Sequence, residues 1–197
     1  MIKNYLLITF RNFARNRNYT LINILGLSIG ISSCIIIFLI VSNDLGFDKF
    51  HSRYDRIYRV VLDGKTASGT DHGTTTPYPF TKAFRNDFPS VPLITQIHVQ
   101  EDVLMKVGAE KRPIRYVLFA DSLFFDVFDF KVLSGNPKVD LAEPGKVFLT
   151  KTLADNLSSD GKMVTTIKLD NKLELEVAGI VADPPPNSHI SFTMLVS

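Results

Sequence analysis

A run without charged residues, from Asn18 to Asn43, constrains this chain more than any other feature of its sequence. The central part of the run reads INILGLSIGISSCIIIFLIV. The hydrocarbon core of a bilayer is about 30 Å thick and is crossed by roughly 20 apolar residues in a helix. The run is therefore long enough to cross a membrane.

Two other structures compete with a membrane helix for such a run. A helix in the core of a soluble domain normally shows a polar stripe. A secretory signal has an apolar region of about 7 to 15 residues, followed by a small-x-small cleavage site. The chain after Val41 reads SNDLGF and has no Ala-x-Ala pattern. The sequence therefore predicts a retained transmembrane helix over residues 19–43.

The charges on the two sides of the run predict its orientation. The basic residues before it are Lys3, Arg11, Arg15 and Arg17, and no acidic residue accompanies them. Asp44 and Asp48 follow directly after it. By the positive-inside rule the N-terminus lies in the cytoplasm, and residues 44–197 form an exported, periplasmic part of a protein of the inner membrane.

Residues 1–18 are interpreted as a cytoplasmic amphipathic segment. Their apolar side chains recur at helical spacing: Leu6, Phe10 and Phe13. Arg11 and Arg15 lie one turn apart on another face, as in a helix on a membrane surface. A plain basic topology signal is the alternative, but it would not require the regular aromatic spacing.

Small residues within the span suggest a face for packing against another helix. Gly26 and Gly30 form a G-x-x-x-G pair, and Ser33 continues the small face. Glycine and serine are also common in membrane helices in general, which is the simpler interpretation. Asn23 and Ser28 favour a helix that is not surrounded by lipid alone.

Charge and cysteine content exclude some classes of function. The chain has 22 basic and 20 acidic side chains, and four of the basic ones precede the span, so the exported part has a net charge of −2. A basic surface typical of nucleic-acid binding is thus not indicated. The only cysteine, Cys34, lies in the span, so no intramolecular disulfide can form.

The exported part is predicted to be an α+β domain with a largely antiparallel sheet and two or three short helices. Phe80, Phe84 and Phe88 recur four apart on a helix that begins after Pro77 and ends before Pro89. Other predicted elements are strands at 57–62, 93–100, 103–108, 114–120, 130–133, 146–150 and 190–196, a loop at 64–77, a short helix capped by Asp121, a helix at 151–157 capped by Thr150, and a β-hairpin at 165–181 around Asp170 and Asn171.

No catalytic, cofactor or metal site is predicted within the chain. The four histidines, His51, His72, His98 and His189, lack the spacing of a zinc site and are interpreted as surface or capping residues. His72 beside Asp71 could serve as the base of a hydrolase, but no nucleophile elbow accompanies it.

Three other stretches resemble functional motifs only in part. Gly145-Lys146 and Gly161-Lys162 lack the other residues of a phosphate loop. The stretch DPPPNSHISF, residues 183–192, is either a proline-rich ligand or, on stronger grounds, a rigid link between two strands.

Several motifs, in this order along the chain, resemble those of the N-terminal part of MacB/FtsX-type ABC transporter permeases, in the form common in the Bacteroidetes. They are RNFARNRNYTLINILGLSIG, FDKFHSRYDRIYRV, TPYPF, FRNDFPSV, ADSLFFDVFDFKVLSGNP, VFLTKTLADNL and VAGIVADPPPNSHISFTMLVS. The resemblance implies a first transmembrane helix followed by a MacB-like periplasmic core domain. It also implies a dimer with other permease helices and a cytoplasmic ABC ATPase subunit near the N-terminal segment. ATP would bind that partner, and the cargo would be a drug, peptide or lipoprotein.

The chain departs from the family pattern in two ways. Where family members carry a Phe-Gly and a PIGK-like element after the helix that matches KTLADNL, this chain reads SSDGKMVTTIKLD. A complete permease also has further membrane helices, so the resemblance favours a fragment or truncated form of a permease component without enzymatic activity of its own. A single-pass periplasmic binding or sensor module is the alternative, and a membrane-anchored hydrolase is the weakest hypothesis.

Overall fold

The structure, a computed structural model, describes residues 2–67, 69–91, 93–108, 110–158 and 164–197, without the side chains of Ile2, Lys3, Leu6 and Phe10. The chain divides into two compact units, residues 1–47 and 48–197. The two units are described separately below.

The first unit consists of two helices. Helix α1 spans Ile2–Arg15 and helix α2 spans Arg17–Asp44, with Asn16 in a non-helical conformation between them. The 28 residues of α2 extend over about 42 Å at 1.5 Å per residue, which exceeds the thickness of a hydrocarbon core. None of its side chains is buried, and its most apolar 18-residue window has a mean hydropathy of 2.7. A helix that is apolar on every side and uncovered by its own chain is typical of a transmembrane helix.

The predicted N-terminal amphipathic segment is helical, as α1 shows. Phe13 is exposed on α1, whereas the side chains of Leu6 and Phe10 lie outside the described residues. The location of this helix on a membrane surface stays a prediction.

The second unit is an α+β domain built on a nine-stranded sheet and a separate two-stranded hairpin. The strands are β1 Leu62–Thr66, β2 Gly69–Gly73, β3 Ile97–Gln100, β4 Val103–Val107, β5 Glu110–Ile114, β6 Val117–Ala120, β7 Val132–Ser134, β8 Lys146–Thr150, β9 Thr166–Leu169, β10 Leu173–Val181 and β11 Met194–Val196. The helices are α3 Phe80–Asp87, α4 Phe124–Val127, α5 Pro137–Asp140 and α6 Lys151–Leu157, with a 3₁₀ turn at Tyr54–Arg56.

The strands of the large sheet follow the order β3-β6-β11-β8-β10-β9-β4-β5, and β7 also pairs with β10. Only the β10/β8 and β11/β6 pairings are parallel, so the predicted largely antiparallel sheet is confirmed. An extra residue, Ala178, bulges β10 beside β8, and Gly179 follows it with Phe148 so close that a Cβ would lie 2.5 Å from Cε1. The same Cβ would come even closer to the backbone oxygen of Ser134 on β7, so a larger residue at 179 would push β7 away from β10.

Strand β8 is covered on both faces. Val147 and Leu149 point into one buried cluster with helix α6, while Phe148 points into a second, aromatic cluster with Phe124 and Leu195. A strand buried on both sides needs consecutive apolar residues, which is why VFL follows Lys146 without alternation.

Several predicted elements are confirmed at their expected places. Helix α6 begins after Thr150, whose hydroxyl oxygen accepts a hydrogen bond from Leu153 N–H at 3.4 Å. Asp170 and Asn171 both have positive φ in the turn between β9 and β10. Helix α3 ends at Asp87, and the ring of Phe88 just after it packs against that of Phe84, tilted by 33° with centroids 4.8 Å apart.

Other predicted elements are wrong. Ile57–Leu62 is rich in β-branched residues, yet the ladder begins only at Leu62, because residues 57–61 have no strand partner in the described part of the chain. The predicted loop at 64–77 instead contains most of the β1/β2 hairpin, in which the backbones pair although neither face is buried. The last strand is shorter than predicted, since Ser188 Oγ and Ile190 bond each other in a turn before β11.

Asp121 does not occupy the N-cap of α4, which is Leu123. Its carboxylate accepts from Leu123 N–H at 3.2 Å, and also binds Arg85 and Thr95 at 2.5 Å each. The residue thus ties α3 and the segment before β3 to the turn that leads into α4.

Candidate functional site

The first residues of the second unit are bonded to later loops of the same sheet domain. We call residues 48–56 the attachment segment. Only Leu45, Gly46 and Phe47 separate it in sequence from the end of α2 at Asp44. Its contacts reach two loops that are distant in sequence, the one after α4 and the one between β10 and β11.

Asp48 connects the segment to the loop before β11. Its carboxylate accepts from His189 N–H at 3.0 Å and lies 2.6 Å from His189 Nδ1. Its own N–H donates to Asn187 C=O at 2.9 Å. Burial alone would raise the pKa of Asp48, but the hydrogen bonds from His189 outweigh it, so this pKa is lowered.

Asp129 holds the segment from the other side. Its Oδ2 accepts from Ser52 N–H at 2.5 Å and from Ser52 Oγ–H at 2.9 Å. The backbone N–H bond from Ser52 is the main reason that the pKa of Asp129 is lowered. Arg53, the residue after Ser52, donates from its guanidinium group to Asp126 C=O at 3.0 Å. A carboxylate with two donors from one residue fixes the position of that residue closely.

His51 lies between these two connections and is only 2% exposed. Its Nδ1 accepts from Asp129 N–H at 3.0 Å, so the ring proton of the neutral form is on Nε2. Nε2 is buried and has no hydrogen-bond partner in the described part of the structure. Burial lowers the pKa of His51 despite the nearby charges of Asp48 and Asp129, so the ring is neutral at pH 7.

Aromatic rings surround the imidazole. Its centroid lies 3.9 Å from that of Phe50 and 5.4 Å from those of Phe128 and Phe130. Phe130 continues into the aromatic core through Phe192, at 5.2 Å and edge to face. The interpretation of His51 as a surface residue is therefore wrong. Histidine spacing could not have found this role, and the only signal was the phenylalanine beside it.

The other histidines are exposed or lie at the surface of the sheet. His72 pairs with Asp63 across the β1/β2 hairpin, with Nδ1 and Oδ1 2.7 Å apart, and not with the neighbouring Asp71. His98 lies on the exposed strand β3. Among the described residues, no group of three or more His, Cys, Asp or Glu could hold a metal ion.

Neither glycine-lysine pair forms a described phosphate site. Lys146 lies on β8 and binds Glu176 at 2.7 Å, a hydrogen bond that raises the pKa of the lysine. Gly161-Lys162 lies outside the described residues. The proline-rich stretch links β10 to β11, as the second interpretation required, and Asp183 within it accepts from Thr152 Oγ at 3.0 Å at the start of α6.

The predicted packing residues of α2 lie on its uncovered surface. A shallow groove is lined by Gly26, Gly30 and Cys34, together with Asn23 and apolar neighbours. A Cβ built on either glycine meets no atom within 4 Å. Ser33 is not part of this lining, and its hydroxyl donates to Ile29 C=O at 2.9 Å.

The basic residues predicted to face the ATPase lie before or at the start of α2. Arg11 and Arg15 are exposed on α1, and Arg17 is exposed as the first residue of α2. The side chain of Lys3 lies outside the described residues.

An apolar helix long enough to cross a membrane, followed in the chain by a sheet-rich α+β domain, is typical of a membrane-anchored protein. The family model of the MacB-like periplasmic core domain matches residues 20–197, and the chain belongs to this family. The resemblance to the periplasmic domains of ABC transporter permeases is thereby confirmed. No curated protein matches the chain.

Three solved structures align with part of this chain. A domain described as part of a permease protein from Porphyromonas gingivalis is 20% identical, covers 58% of this chain and aligns with a TM-score of 0.50. The periplasmic region of MacB from Actinobacillus actinomycetemcomitans is 16% identical with 58% coverage and a TM-score of 0.44. The extracellular domain of the ABC-type transporter YknZ from Gram-positive bacteria is 18% identical with 58% coverage and a TM-score of 0.41. The matches extend over 54%, 53% and 60% of those chains, respectively.

The lowered pKa of His51 predicts a stability that decreases in mild acid. Below the ordinary histidine value of 6.5, the unfolded chain takes up a proton at His51 that the folded chain does not, so the free energy of unfolding falls as the pH falls. The lowered pKa values of Asp48 and Asp129 also reduce the stability in acid, but only at a pH near or below their ordinary value of 3.8. We expect full-length chain in detergent to be less resistant to urea at pH 5.5 than at pH 7.5.

The variant H51Q should lose much of this pH dependence and about 0.5 to 1.5 kcal/mol of stability at pH 7.5, since the Asp129 N–H loses its well-placed acceptor. The exposed His72 provides the control, and H72Q should keep the pH dependence of the parent. Retention of the full pH dependence in H51Q would show that His51 does not cause it.

Proposed function

We propose that this chain is a permease component of an ABC transporter. In this proposal ATP hydrolysis by a separate cytoplasmic subunit drives motion of the exported domain, and α2 and the attachment segment transmit it. The observation that carries the proposal is family membership combined with the bonding of the attachment segment directly after a transmembrane helix. The cargo would be a drug, peptide or lipoprotein.

The attachment segment suits a mechanical role. Bonds to Asp129 and His189 hold it on two sides of the buried His51. Such charge-assisted bonds resist displacement more than neutral ones, so a pull on the segment would be transmitted to both loops together. The bulky aromatic neighbours of His51 leave little room for the segment to slide.

The charge pattern supports a cytoplasmic N-terminus in the inner membrane. Arg11 and Arg15 precede the span, whereas Asp44 ends it. In the proposal α1 faces the ATPase subunit, ATP is bound by that subunit, and this chain needs no cofactor of its own. The residues after α2 would then lie in the periplasm.

The glycine face of α2 supports assembly with other permease helices, including those of a second copy. Nothing within the described chain requires glycine at position 26 or 30, since a side chain there would meet no neighbour. Close approach of another helix in the bilayer does require small residues. We therefore expect α2 to pack through Gly26, Gly30 and Cys34 in a dimeric permease.

Isolation of the tagged full-length chain from membranes of its natural host tests the proposal. An ABC ATPase should co-purify in mild detergent, and the complex should hydrolyse ATP. The variant R11Q/R15Q should reduce the ATPase recovered by about fivefold or more, because α1 loses two charges at the proposed contact. Lys3 and Arg17 remain to direct the topology, which protease protection checks.

The matched control is K65Q/K82Q, which removes the same charge at exposed positions of the exported domain outside the attachment segment. It should leave the recovered ATPase unchanged. Recovery of a folded chain without any ATPase would contradict the permease proposal and leave the single-pass binding or sensor module in its place.

Disulfide cross-linking tests the packing face, because Cys34 is the only cysteine in the chain. A disulfide requires Cα atoms within about 7 Å, so copies of α2 that pack through the groove should cross-link when membranes are oxidised. G26L/G30L should abolish the product, whereas S28L/S32L on the opposite side of the helix should retain it. Equal cross-linking in both variants, or none in the parent, would exclude a dimer formed through this face.

A further inference from the structure

Three lysines form a row across neighbouring strands of the large sheet. Lys106 on β4 is the Cα partner of Lys111 on β5 and of Lys168 on β9. The residues next to them, Met105 and Leu169, are buried on the other face. Because side chains alternate along a strand, the three lysines share the outer face, and we call them the lysine row.

The lysine row concentrates positive charge, and neither Lys106 nor Lys111 has an acid opposite it in the described strand register. Directly opposed residues have Cβ atoms about 4.5 to 5.5 Å apart, and like charges at this distance destabilise a sheet. None of the ion pairs in the described part of the chain includes Lys106, Lys111 or Lys168. Glu174 opposes Lys168 at the β10 end, and it is the one acid in register with the row among the described residues.

The same sheet face shows how a lysine is neutralised elsewhere. Glu176, two residues after Glu174 on β10, is the cross-strand partner of Lys146. Their side chains meet with Nζ and Oε2 2.7 Å apart. A carboxylate in cross-strand register is thus available to Lys146, whereas Lys106 and Lys111 face only other lysines.

Protection of the sheet edge accounts for only one member of the row. Strand β5 is the last strand of the sheet, and lysine and proline on an edge strand discourage pairing with further strands. The N–H and C=O of Leu104 both bond to Asp170, on the side away from β5. Pro113, the residue of β5 opposite Leu104, therefore turns its backbone to the free edge of the sheet, where proline has no N–H to offer. Lys111 fits this protective role, but Lys106 and Lys168 lie one and two strands further in.

The surroundings of the row indicate the class of ligand. It lies on the open face of a sheet, whereas sites for small molecules are concave. Anionic membranes attract clusters of about 4 to 8 basic residues, more than this row provides. Carboxylates of a polypeptide fit better, as the Lys146–Glu176 pair illustrates.

We propose that the lysine row binds an acidic segment of another polypeptide through ammonium–carboxylate pairs. This site is independent of the ATPase contact and of the helix face. The segment would supply to Lys106 and Lys111 the negative charge that the chain itself supplies to Lys146.

Binding of a fluorescein-labelled peptide of ten glutamates to the full-length chain in neutral detergent tests the proposal by anisotropy. The variant K106Q/K111Q/K168Q should bind the peptide with an affinity at least about tenfold lower than the parent, since three ion pairs are lost. The control K65Q/K82Q/K131Q removes the same charge at exposed positions on other elements, and should stay within about twofold of the parent. Equal loss in both variants would overturn the proposal.

Two further measurements distinguish a peptide site from a structural role of the lysines and from a lipid site. Thermal unfolding of K106Q/K111Q/K168Q should occur at the same temperature as the parent or higher, because repulsion is removed. A lower temperature would show that the lysines are structural and would overturn the proposal. Phosphatidylglycerol vesicles should bind parent and variant alike. Vesicle binding that depends on the row, without binding of the glutamate peptide, would assign the site to lipid instead.

Discussion

The burial of the neutral His51 ring is the interaction on which the position of the attachment segment within the sheet domain depends. The ring accepts from Asp129 N–H and fills a space among phenylalanines, so it fixes the backbone on either side of it. Asp48 and Ser52 can then reach their partners at short distances. A charged ring would carry a second proton on Nδ1, which faces the Asp129 N–H, so the hydrogen bond that fixes the ring would be lost.

The sheet makes this arrangement possible by bringing distant loops together. The parallel pairing of β11 with β6 and the antiparallel pairing of β11 with β8 place the last strand in the middle of the sheet. The chain before β11, which includes His189, is thereby held near the start of the domain, where Asp48 binds it. The aromatic cluster around Phe124 fills the space beneath, so the attachment segment rests on a packed core.

Local signals in the sequence were sufficient for some elements and not for others. The charge-free run predicted α2, Thr150 predicted the start of α6, and Asp170-Asn171 predicted a turn, because each depends on neighbouring residues alone. The burial of His51 depends on Phe128 and Phe130, which are nearly 80 residues away, so spacing between histidines could not reveal it. The lysine row likewise becomes visible only once the strand register is known.

The strand predicted at 57–62 is largely absent for the same reason, since its formation depends on residues that are distant in sequence. Its side chains have the right propensity, but a strand needs a partner for its backbone, and propensity does not indicate where that partner is. The hairpin at β1 and β2 shows the converse, since its glycine and threonine residues carry no alternating pattern and yet their backbones pair. Pairing in these segments follows chain geometry more than side-chain hydrophobicity.

Amide hydrogen exchange of the full-length chain in detergent tests most directly whether the attachment segment is a fixed part of the sheet domain. Peptides that cover residues 48–53 should exchange as slowly as those of β8, because the N–H groups of Asp48 and Ser52 are bonded to the domain. Residues 57–61, which have no ladder partner in the described structure, provide the fast internal reference. Exchange of residues 48–53 as fast as that reference would contradict a fixed attachment.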